Sequence, residues 1–364
     1  MGAPKVALVQ DWLTGFAGGE QVLLALHRMY PEAPIFTSVY SAAMTPQFAK
    51  AKVIPSYLQR LPTARRRHQV LIPLMPQAFE SFDLKGYDLV VSVGGGLSKG
   101  VITQPDQLHL SYCHTPMRYI WKLSDDNRNA GRFDSGLRQW AEHRLRIWDV
   151  VSADRVDGFL ANSVNVRRRI AKIYRKESEV VYPPVDISRF VFSPDASGTY
   201  FLSVGRLVEY KRIDVLVRAC ILTGQSLKVV GEGPERPRLQ AMAVNAPWIE
   251  FLGRMPDSEL RAIYAGARAF LFAAEEDFGI VPLEAMAVGR PVIAYAKGGA
   301  LETVVDGKTG LFFAEQTAES LAEVIGRFKA ADFDPQAART RAEQFDTCIF
   351  ERSFQAAVER HLTA

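Results

Sequence analysis

Two carboxylates in one short stretch give this 364-residue sequence its clearest capacity for chemistry. Glu276 and Glu284 lie within residues 270–287, where an apolar, aromatic-rich run predicts a buried strand, an acidic loop closes on Gly279, and helix-forming residues follow. The side chain of Glu284 leans back toward the amino end of that helix, so one ligand can contact both carboxylates. Unpaired N–H groups at the same helix end can bind an anion.

The spacing of the two carboxylates carries little weight without this context. Other glutamate pairs lie eight residues apart, such as Glu315 with Glu323, in segments with a helical, solvent-facing pattern. A solvated acidic loop is the alternative interpretation of Glu276. The strand, loop and helix order favours a ligand site, because such loops lie at the carboxyl edge of an open α/β sheet.

Two cations follow the first predicted strand of the second half, which spans residues 200–205. Arg206 can bind two phosphate oxygens with its planar guanidinium, and Lys211 can act as a point charge. A charged surface loop is the alternative. The position of both residues after a strand favours a phosphate-binding function.

The first half offers weaker candidates for ligand contact. Gly18 and Gly19 lie in a predicted loop after the strand at residues 5–9 and before a helix predicted from Glu20 to Met29. Their amides can cradle a phosphate, or the glycines can simply form a tight turn. His114 follows the strand at residues 108–113 and precedes a turn fixed by proline, where it can contact a ligand or merely cap the turn.

The chain alternates predicted strands and helices, which indicates parallel, doubly wound sheets. Further strands are predicted at residues 35–39 and 88–93, and residues 158–163 are predicted to be the last strand of the first domain. A length of 364 residues favours two domains, and the adjacent prolines Pro183 and Pro184 mark the boundary between them.

Charge is distributed unevenly along the chain. Residues 1–183 carry 24 Lys and Arg against 16 Asp and Glu, whereas the remainder carries 20 against 24. Cations and apolar residues are interleaved over residues 56–76, around Arg65, Arg66 and Arg67. This segment either lies on an anionic membrane or forms a solvated basic helix over the core, and both interpretations stay open. Nucleic acid is disfavoured because no recognised nucleic-acid module accompanies the patch.

The location predicted from the sequence is cytoplasmic, peripheral on the inner face of the membrane. No apolar run reaches the about 20 residues needed to span a bilayer, and no signal segment is expected at the amino end. The three cysteines are far apart and fit no metal or redox spacing.

In chain order, Gly18-Gly19, His114, Arg206 with Lys211, and Glu276 with Glu284 resemble the motifs of retaining glycosyltransferases of family four, and the resemblance covers nearly the whole chain. It implies the GT-B fold, with two Rossmann-like doubly wound domains facing across a cleft. Residues 1–183 would bind the acceptor and residues 184–344 the nucleotide-sugar donor. A last helix, at about 345–364, would pack back on the first domain.

The resemblance implies a function for each motif. Glu276 would bind hydroxyls of the donor sugar, Glu284 would bind the ribose, and Arg206 and Lys211 would stabilise the leaving diphosphate, with no metal or other cofactor required. His114 would contact the transferred sugar, which gives catalytic residues Glu276, His114, Arg206 and Lys211. The implied donor-binding residues are Gly18, Gly19, Arg206, Lys211, Arg254, Met255, Glu276, Phe278, Gly279, Ile280, Val281 and Glu284. Residues on the acceptor or membrane side would be Asp11, Arg65, Arg66, Arg67, Arg118 and Trp121.

Residues His114 to Trp121 also resemble a motif of bacterial mannosyltransferases in that family. The sequence therefore predicts an α-mannosyltransferase that moves mannose from GDP-mannose onto a lipid-linked or polysaccharide acceptor of the cell envelope. A uridine-based donor, a nucleotide-sugar epimerase and a non-enzymatic nucleotide-sugar-binding scaffold are the alternatives. A glycosidase pair of carboxylates is disfavoured because it leaves Arg206 and Lys211 without a function.

Overall fold

The computed structural model describes residues 4–62, 64–123, 136–195 and 198–363. The chain divides into two compact units. Unit 1 comprises Met1–Pro184 together with Cys348–Ala364, and unit 2 comprises Val185–Thr347. The break between them follows the Pro183-Pro184 pair, where neither residue can donate a backbone hydrogen bond.

Unit 1 contains a parallel seven-stranded sheet. Its strands are β1 (Val6–Gln10), β2 (Ile35–Thr37), β3 (Val53–Pro55), β4 (Leu89–Gly94), β5 (Leu108–Cys113), β6 (Gly158–Ala161) and β7 (Glu179–Val180). The strand order is β3-β2-β1-β4-β5-β6-β7. The direction in which successive strands are added reverses between β1 and β4, and ligands of open α/β sheets bind at the carboxyl ends of strands at such a point.

Helices cover both faces of this sheet. Those described before residue 184 are α1 (Gly18–Met29), α2 (Ala64–Arg67), α3 (Met75–Glu80), α4 (Arg118–Trp121), α5 (Gly136–Ala153) and α6 (Val164–Ile173). In β1, Val6 and Leu8 belong to the core on one face of the sheet, whereas Ala7 and Val9 belong to the core on the other. Burial on both faces explains why β1 is apolar throughout most of its length.

Three details of unit 1 differ from the sequence prediction. Strand β2 ends at Thr37 instead of residue 39. The prediction that residues 158–163 form the last strand was wrong, because β7 pairs with β6. Helix α1 begins at Gly18 instead of Glu20, since Ala17 is its N-cap and the Glu20 carboxylate accepts a hydrogen bond from the Ala17 amide.

Unit 2 contains a parallel six-stranded sheet in the order β10-β9-β8-β11-β12-β13. Its strands are β8 (Tyr200–Val204), β9 (Leu227–Val230), β10 (Ile249–Gly253), β11 (Ala267–Phe272), β12 (Val292–Tyr295) and β13 (Gly310–Phe313). The order reverses between β8 and β11, which places a second switch point beside the loops that follow these two strands.

Short connections join these strands to helices. The helices of this unit are α7 (Ile213–Thr223), α8 (Arg236–Met242), α9 (Asp257–Ala265), α10 (Ile280–Ala287), α11 (Ala300–Thr303), α12 (Ala318–Arg327) and α13 (Pro335–Glu343). One large buried cluster joins β8, β9, β11 and β12 to α7 and α12, with Leu216, Leu271 and Leu321 among its fully buried members. This core supports the strand ends from which the site loops extend.

The last helix, α14 (Thr347–Thr363), belongs to unit 1. Phe350, Phe354, Ala357 and Val358 recur with helical spacing and are buried in the same core as Leu8 of β1. None of the helices described in either unit is both long and apolar enough to cross a lipid bilayer.

Candidate active site

The predicted donor-binding residues of unit 2 collect at the carboxyl ends of three strands. Arg206 follows β8, and Lys211 ends a 3₁₀ turn at Glu209–Lys211. Arg254 and Met255 follow β10, where Arg254 is exposed and Met255 is half-buried. The acidic loop follows β11, so Arg206, Lys211 and the acidic loop lie at the switch point between β8 and β11, whereas Arg254 and Met255 lie at the edge strand β10.

The acidic loop turns abruptly into α10. Glu275 is exposed and Glu276 is half-buried, whereas Phe278 is buried and its ring packs against Phe345 at 5.6 Å between centroids. Gly279 is the N-cap of α10 with φ of 87°, a conformation that a side chain would strain. Ile280 and Val281 form the first turn of α10 and are half-buried.

A second turn fixes the backbone of the acidic loop. The amide of Gly299 donates a hydrogen bond of 2.8 Å to the carbonyl oxygen of Glu276. A Cβ at Gly298 would lie 2.2 Å from that same oxygen, and a Cβ at Gly299 would lie 2.1 Å from the carbonyl oxygen of Phe278. The two glycines therefore let this turn pack directly on the loop that carries Glu276.

Lys211 and Glu276 form an ion pair, although they are 65 residues apart in the chain. Both side chains are mostly buried, with 16% and 17% of their surfaces exposed. Arg206 is exposed, and no partner for its guanidinium occurs within the described ranges. The loop after β8 thus presents the guanidinium of Arg206 together with Lys211, whose charge is neutralised by the carboxylate of Glu276.

Glu284 lies on α10 and is held from α9. The hydroxyl of Tyr264 donates a hydrogen bond of 2.9 Å to Oε2 of Glu284. Burial raises the pKa of Glu284, and the hydrogen bond from Tyr264 and the charge of Arg189 partly oppose that rise. Tyr264 was not among the residues predicted to serve the site.

In unit 1, the structure brings Gly19 and His114 together. A Cβ at Gly19 would lie 3.1 Å from Nε2 of His114, so this glycine allows α1 to approach the ring. Burial lowers the pKa of His114 to about 4, and Nε2 is enclosed without a hydrogen-bond partner among the residues described. The imidazole is therefore neutral at pH 7. Gly18, which is exposed, lies in the first turn of the same helix.

Asp11, predicted on the acceptor side, is buried at the end of β1. Its carboxylate accepts hydrogen bonds from the amides of Gly95 at 2.7 Å and Ser98 at 2.6 Å. Burial raises the pKa of Asp11, while those hydrogen bonds lower it. A Cβ at Gly94 would lie 2.5 Å from Cγ of Asp11, so the carboxylate packs directly on the backbone of this glycine-rich turn.

Trp121, also predicted on the acceptor side, points into a buried polar network. Its indole N–H donates to Asp149 at 2.7 Å, and Asp149 also pairs with Lys99 and accepts a hydrogen bond from Tyr174. Lys99 in turn donates to a carbonyl oxygen of the glycine-rich turn. Trp121 therefore ties α4 to that turn, and half-buried Arg118 begins the same helix.

Arg65, Arg66 and Arg67 form α2, and all three are exposed. The next residue, His68, contacts the loop after β1, because its ring lies 4.8 Å from that of Trp12 and its Nδ1 lies 3.3 Å from Oγ1 of Thr14. The basic segment is thus anchored beside the strand end that carries Asp11. Thr63, in the same segment, lies outside the described residues.

No group of three or more His, Cys, Asp or Glu side chains able to hold a metal ion occurs in the described parts of the chain. In the Asp-x-Asp sequence, Asp332 ends a 3₁₀ turn and Asp334 precedes α13. Asp334 caps α13 by accepting a hydrogen bond from the amide of Gln336.

The fold is that of the GT-B glycosyltransferases, which confirms the predicted class of two Rossmann-like α/β units. The crystal structure of HepE from Anabaena, in complex with UDP and glucose, superimposes with a TM-score of 0.72 at 18% identity, covering 98% of this chain and 100% of that one. Sucrose-phosphate synthase from Thermosynechococcus elongatus gives a TM-score of 0.75 at 19% identity, covering 100% of both chains.

Residues 185–345, which span most of unit 2, match the family model described as glycosyl transferases group 1. A GDP-mannose-dependent alpha-(1-6)-phosphatidylinositol monomannoside mannosyltransferase of Mycolicibacterium smegmatis is 34% identical over 183 residues, or 43% of this chain and 47% of that protein. The chain spans about half the length of the first curated relatives it matches.

Proposed function

We propose that this chain is a retaining glycosyltransferase that transfers mannose from GDP-mannose to a lipid-linked oligosaccharide or polysaccharide acceptor. The observation that carries the proposal is the contact between Lys211 and Glu276 at the switch point of unit 2. It brings a cation suited to a diphosphate next to a carboxylate suited to sugar hydroxyls. A nucleotide sugar carries its diphosphate directly next to its sugar, so one donor molecule can contact both groups.

Each group has a defined task in this reaction. The bond between the anomeric carbon and the diphosphate oxygen breaks, and the acceptor oxygen forms a new bond on the same face of the sugar. The acceptor proton passes to the leaving diphosphate. Arg206 and Lys211 stabilise the negative charge that develops on this diphosphate, and because both cations are already at the strand end, little reorganisation is required.

The remaining groups bind the donor. Glu276 accepts hydrogen bonds from the sugar hydroxyls, Glu284 accepts them from the ribose, and the first turn of α10 presents its amides to the diphosphate. His114, in unit 1, has a neutral imidazole that is suited to a hydrogen bond with a sugar hydroxyl. With two cations supplied by the chain, we expect no metal requirement.

The donor is the part of the proposal that needs the most direct test. GDP-mannose is supported by the name of the Mycolicibacterium relative and by the resemblance of residues 114–121 to a mannosyltransferase motif. The UDP complex of HepE supports a uridine donor as the second candidate. Thermal unfolding should be measured with GDP, UDP, ADP, GDP-mannose, UDP-glucose and UDP-N-acetylglucosamine, first without metal and then with magnesium.

Selective stabilisation by GDP and GDP-mannose without metal is the expected result, because a ligand that binds only the native state raises the unfolding temperature. Selective stabilisation by the uridine compounds would still support a glycosyltransferase, but it would contradict mannose as the transferred sugar. Stabilisation by none of the nucleotides would contradict the enzyme and favour the non-enzymatic scaffold.

We further propose that α2 and the turn after it contact the inner face of the cytoplasmic membrane. Exposed Arg65, Arg66 and Arg67 precede Val70 and Leu74, which have 71% and 48% of their surfaces exposed. Cations beside exposed apolar side chains suit a surface of anionic lipid.

Charge reversal tests this membrane proposal. Arg65→Glu with Arg66→Glu should weaken binding to vesicles containing anionic lipid at least about tenfold at low salt, since each basic residue contributes about 1 kcal/mol near such a surface. Nucleotide affinity should not change. The matched control is Arg167→Glu with Arg168→Glu, which makes the same charge change at two exposed positions of α6. An equal loss of vesicle binding in both variants would show that the net charge of the protein, and not the position of Arg65 and Arg66, determines binding.

A further inference from the structure

Glu284 presents one occupied and one unoccupied carboxylate oxygen. Oε2 accepts the hydrogen bond from Tyr264, whereas Oε1 has no partner among the described residues. The side chain is half-buried, so the charge is only partly solvated. A carboxylate that is held through one oxygen and open at the other is suited to accept hydrogen bonds from ligand hydroxyls.

The hydroxyl that holds Glu284 is itself fixed by packing. Tyr264 is fully buried, and its ring contacts Phe190 edge-on at 5.7 Å and Phe270 in a stacked arrangement at 6.1 Å. Phe270 belongs to β11, the strand that leads into the acidic loop. The ring therefore has little freedom to move its hydroxyl relative to α10.

The surroundings of Tyr264 keep its phenol neutral, so the hydroxyl can donate to the Glu284 carboxylate. Burial and the neighbouring carboxylate raise the pKa of Tyr264 well above its ordinary value, so its hydroxyl stays a donor. Besides the hydrogen bond from Tyr264, two charged groups act on Glu284: Arg189, which lowers its pKa, and Asp257, which raises it. Arg189 and Asp257 pair with each other, so their effects partly cancel.

We propose that Tyr264 is a positioning residue that orients Glu284 toward the vicinal diol of a nucleotide ribose. This inference rests on the proposed function, which assigns Glu284 to the ribose. Tyr264 does not touch the ligand in this arrangement. It fixes Oε2, so that Oε1 and the second lone pair of Oε2 are directed to the two ribose hydroxyls.

Tyr264→Phe tests the inference when it is combined with removal of the diol from the ligand. Affinities of GDP and of 2′,3′-dideoxy-GDP, and of the corresponding uridine pair, should be measured by calorimetry for both proteins. In the wild type, loss of the diol should weaken binding about tenfold or more, since hydrogen bonds to a charged group are being removed. Tyr264→Phe should weaken the binding of GDP, which keeps its diol, about fivefold to tenfold. The affinity for 2′,3′-dideoxy-GDP should stay unchanged within about twofold.

The pH dependence gives an independent readout. The hydrogen bond from Tyr264 favours the ionised form of Glu284, so its removal raises the pKa of that carboxyl further. As pH falls from neutral to mildly acidic values, diol-dependent affinity should therefore be lost at a higher pH in Tyr264→Phe than in the wild type. A profile that does not move would overturn the positioning role.

Tyr200→Phe is the matched structural control. The Tyr200 hydroxyl donates to the carbonyl oxygen of Ile263 at 2.8 Å, so this change removes one phenol that supports α9 without touching Glu284. It should affect both ligands equally. Should Tyr264→Phe fold poorly, Glu284→Gln keeps the inference falsifiable, because it should remove most of the diol contribution, and a diol contribution that survives in this variant would overturn the inference.

The outcomes separate the inference from the proposed function. Equal weakening of ribose and dideoxy ligands by Tyr264→Phe, or no weakening of either, would overturn the inference while leaving nucleotide binding intact. If neither GDP nor UDP binds the wild type, the proposed function fails and the inference fails with it. A diol contribution that is lost in Glu284→Gln and reduced in Tyr264→Phe supports both.

Discussion

Replacing Glu276 by glutamine is expected to lower kcat/KM for sugar transfer by about 10²- to 10³-fold, the range seen when one preorganised polar group is removed from an active site. Glutamine keeps the shape of the side chain but removes its charge and one hydrogen-bond acceptor. Because Glu276 lies on a loop but is the ion-pair partner of the mostly buried Lys211, the free energy of unfolding should fall by about 1–3 kcal/mol.

The effect of this substitution on ligands should depend on the sugar. Glu276→Gln frees Lys211 from its ion pair, so GDP affinity should stay unchanged or increase slightly, while transfer from GDP-mannose falls. Glu275→Gln is the matched control, since it removes the same charge from an exposed neighbour in the same loop. Near-wild-type transfer by Glu276→Gln would remove the sugar-binding role, and a parallel loss of GDP affinity would assign Glu276 to the nucleotide instead.

The central strands of both sheets could be predicted from the sequence because they are buried on two faces. Residues 5–9 and 200–205 were predicted as strands, and the structure has β1 at Val6–Gln10 and β8 at Tyr200–Val204. The edge strands Val53–Pro55 and Glu179–Val180 are short and half-buried, so neither produces an apolar run.

The local conformation around glycine was harder to predict. Gly18 and Gly19 suggested a phosphate-binding loop, but in the structure they start α1, because the carboxylate of Glu20 caps the helix at Ala17. The close approach of Gly19 to His114 depends on how α1 packs beside the end of β5. Such an approach depends on tertiary structure and has no local sequence pattern.

Contacts between distant segments account for most of what sequence reasoning missed at the site. Sequence reasoning identified Lys211 as a candidate for phosphate binding and Glu276 as a candidate for ligand binding, but only the fold shows that they pair. A lone tyrosine among the apolar residues of α9 has the pattern of a core residue, and Tyr264 indeed is buried. Its contact with Glu284 arises from the packing of α9 against α10, which the sequence does not report.

The second large effect is expected for Lys211→Met, which removes a charge and keeps an unbranched side chain. Diphosphate affinity should fall about tenfold or more, and kcat/KM should fall about 10²- to 10³-fold, because the charge that develops on the leaving diphosphate loses one of two cations. The measurements are calorimetry with GDP and steady-state transfer from GDP-mannose. Lys308→Met is the control, since it removes one exposed cation from the turn before β13, at the opposite edge of the same sheet.

Combining Lys211→Met with Glu276→Gln shows whether the two residues have separate tasks. In the ligand-free protein they neutralise each other, so each single variant removes the ion-pair partner of a mostly buried charge, and the double variant should be less destabilised than the sum of the two singles. With ligand bound, Lys211 serves the diphosphate and Glu276 the sugar. The double variant should therefore bind GDP as weakly as Lys211→Met alone, because Glu276 contributes nothing to a ligand without sugar. If Glu276→Gln instead restores GDP affinity to Lys211→Met, the unpaired carboxylate was repelling the diphosphate, and Lys211 acts by neutralising Glu276 instead of by binding phosphate.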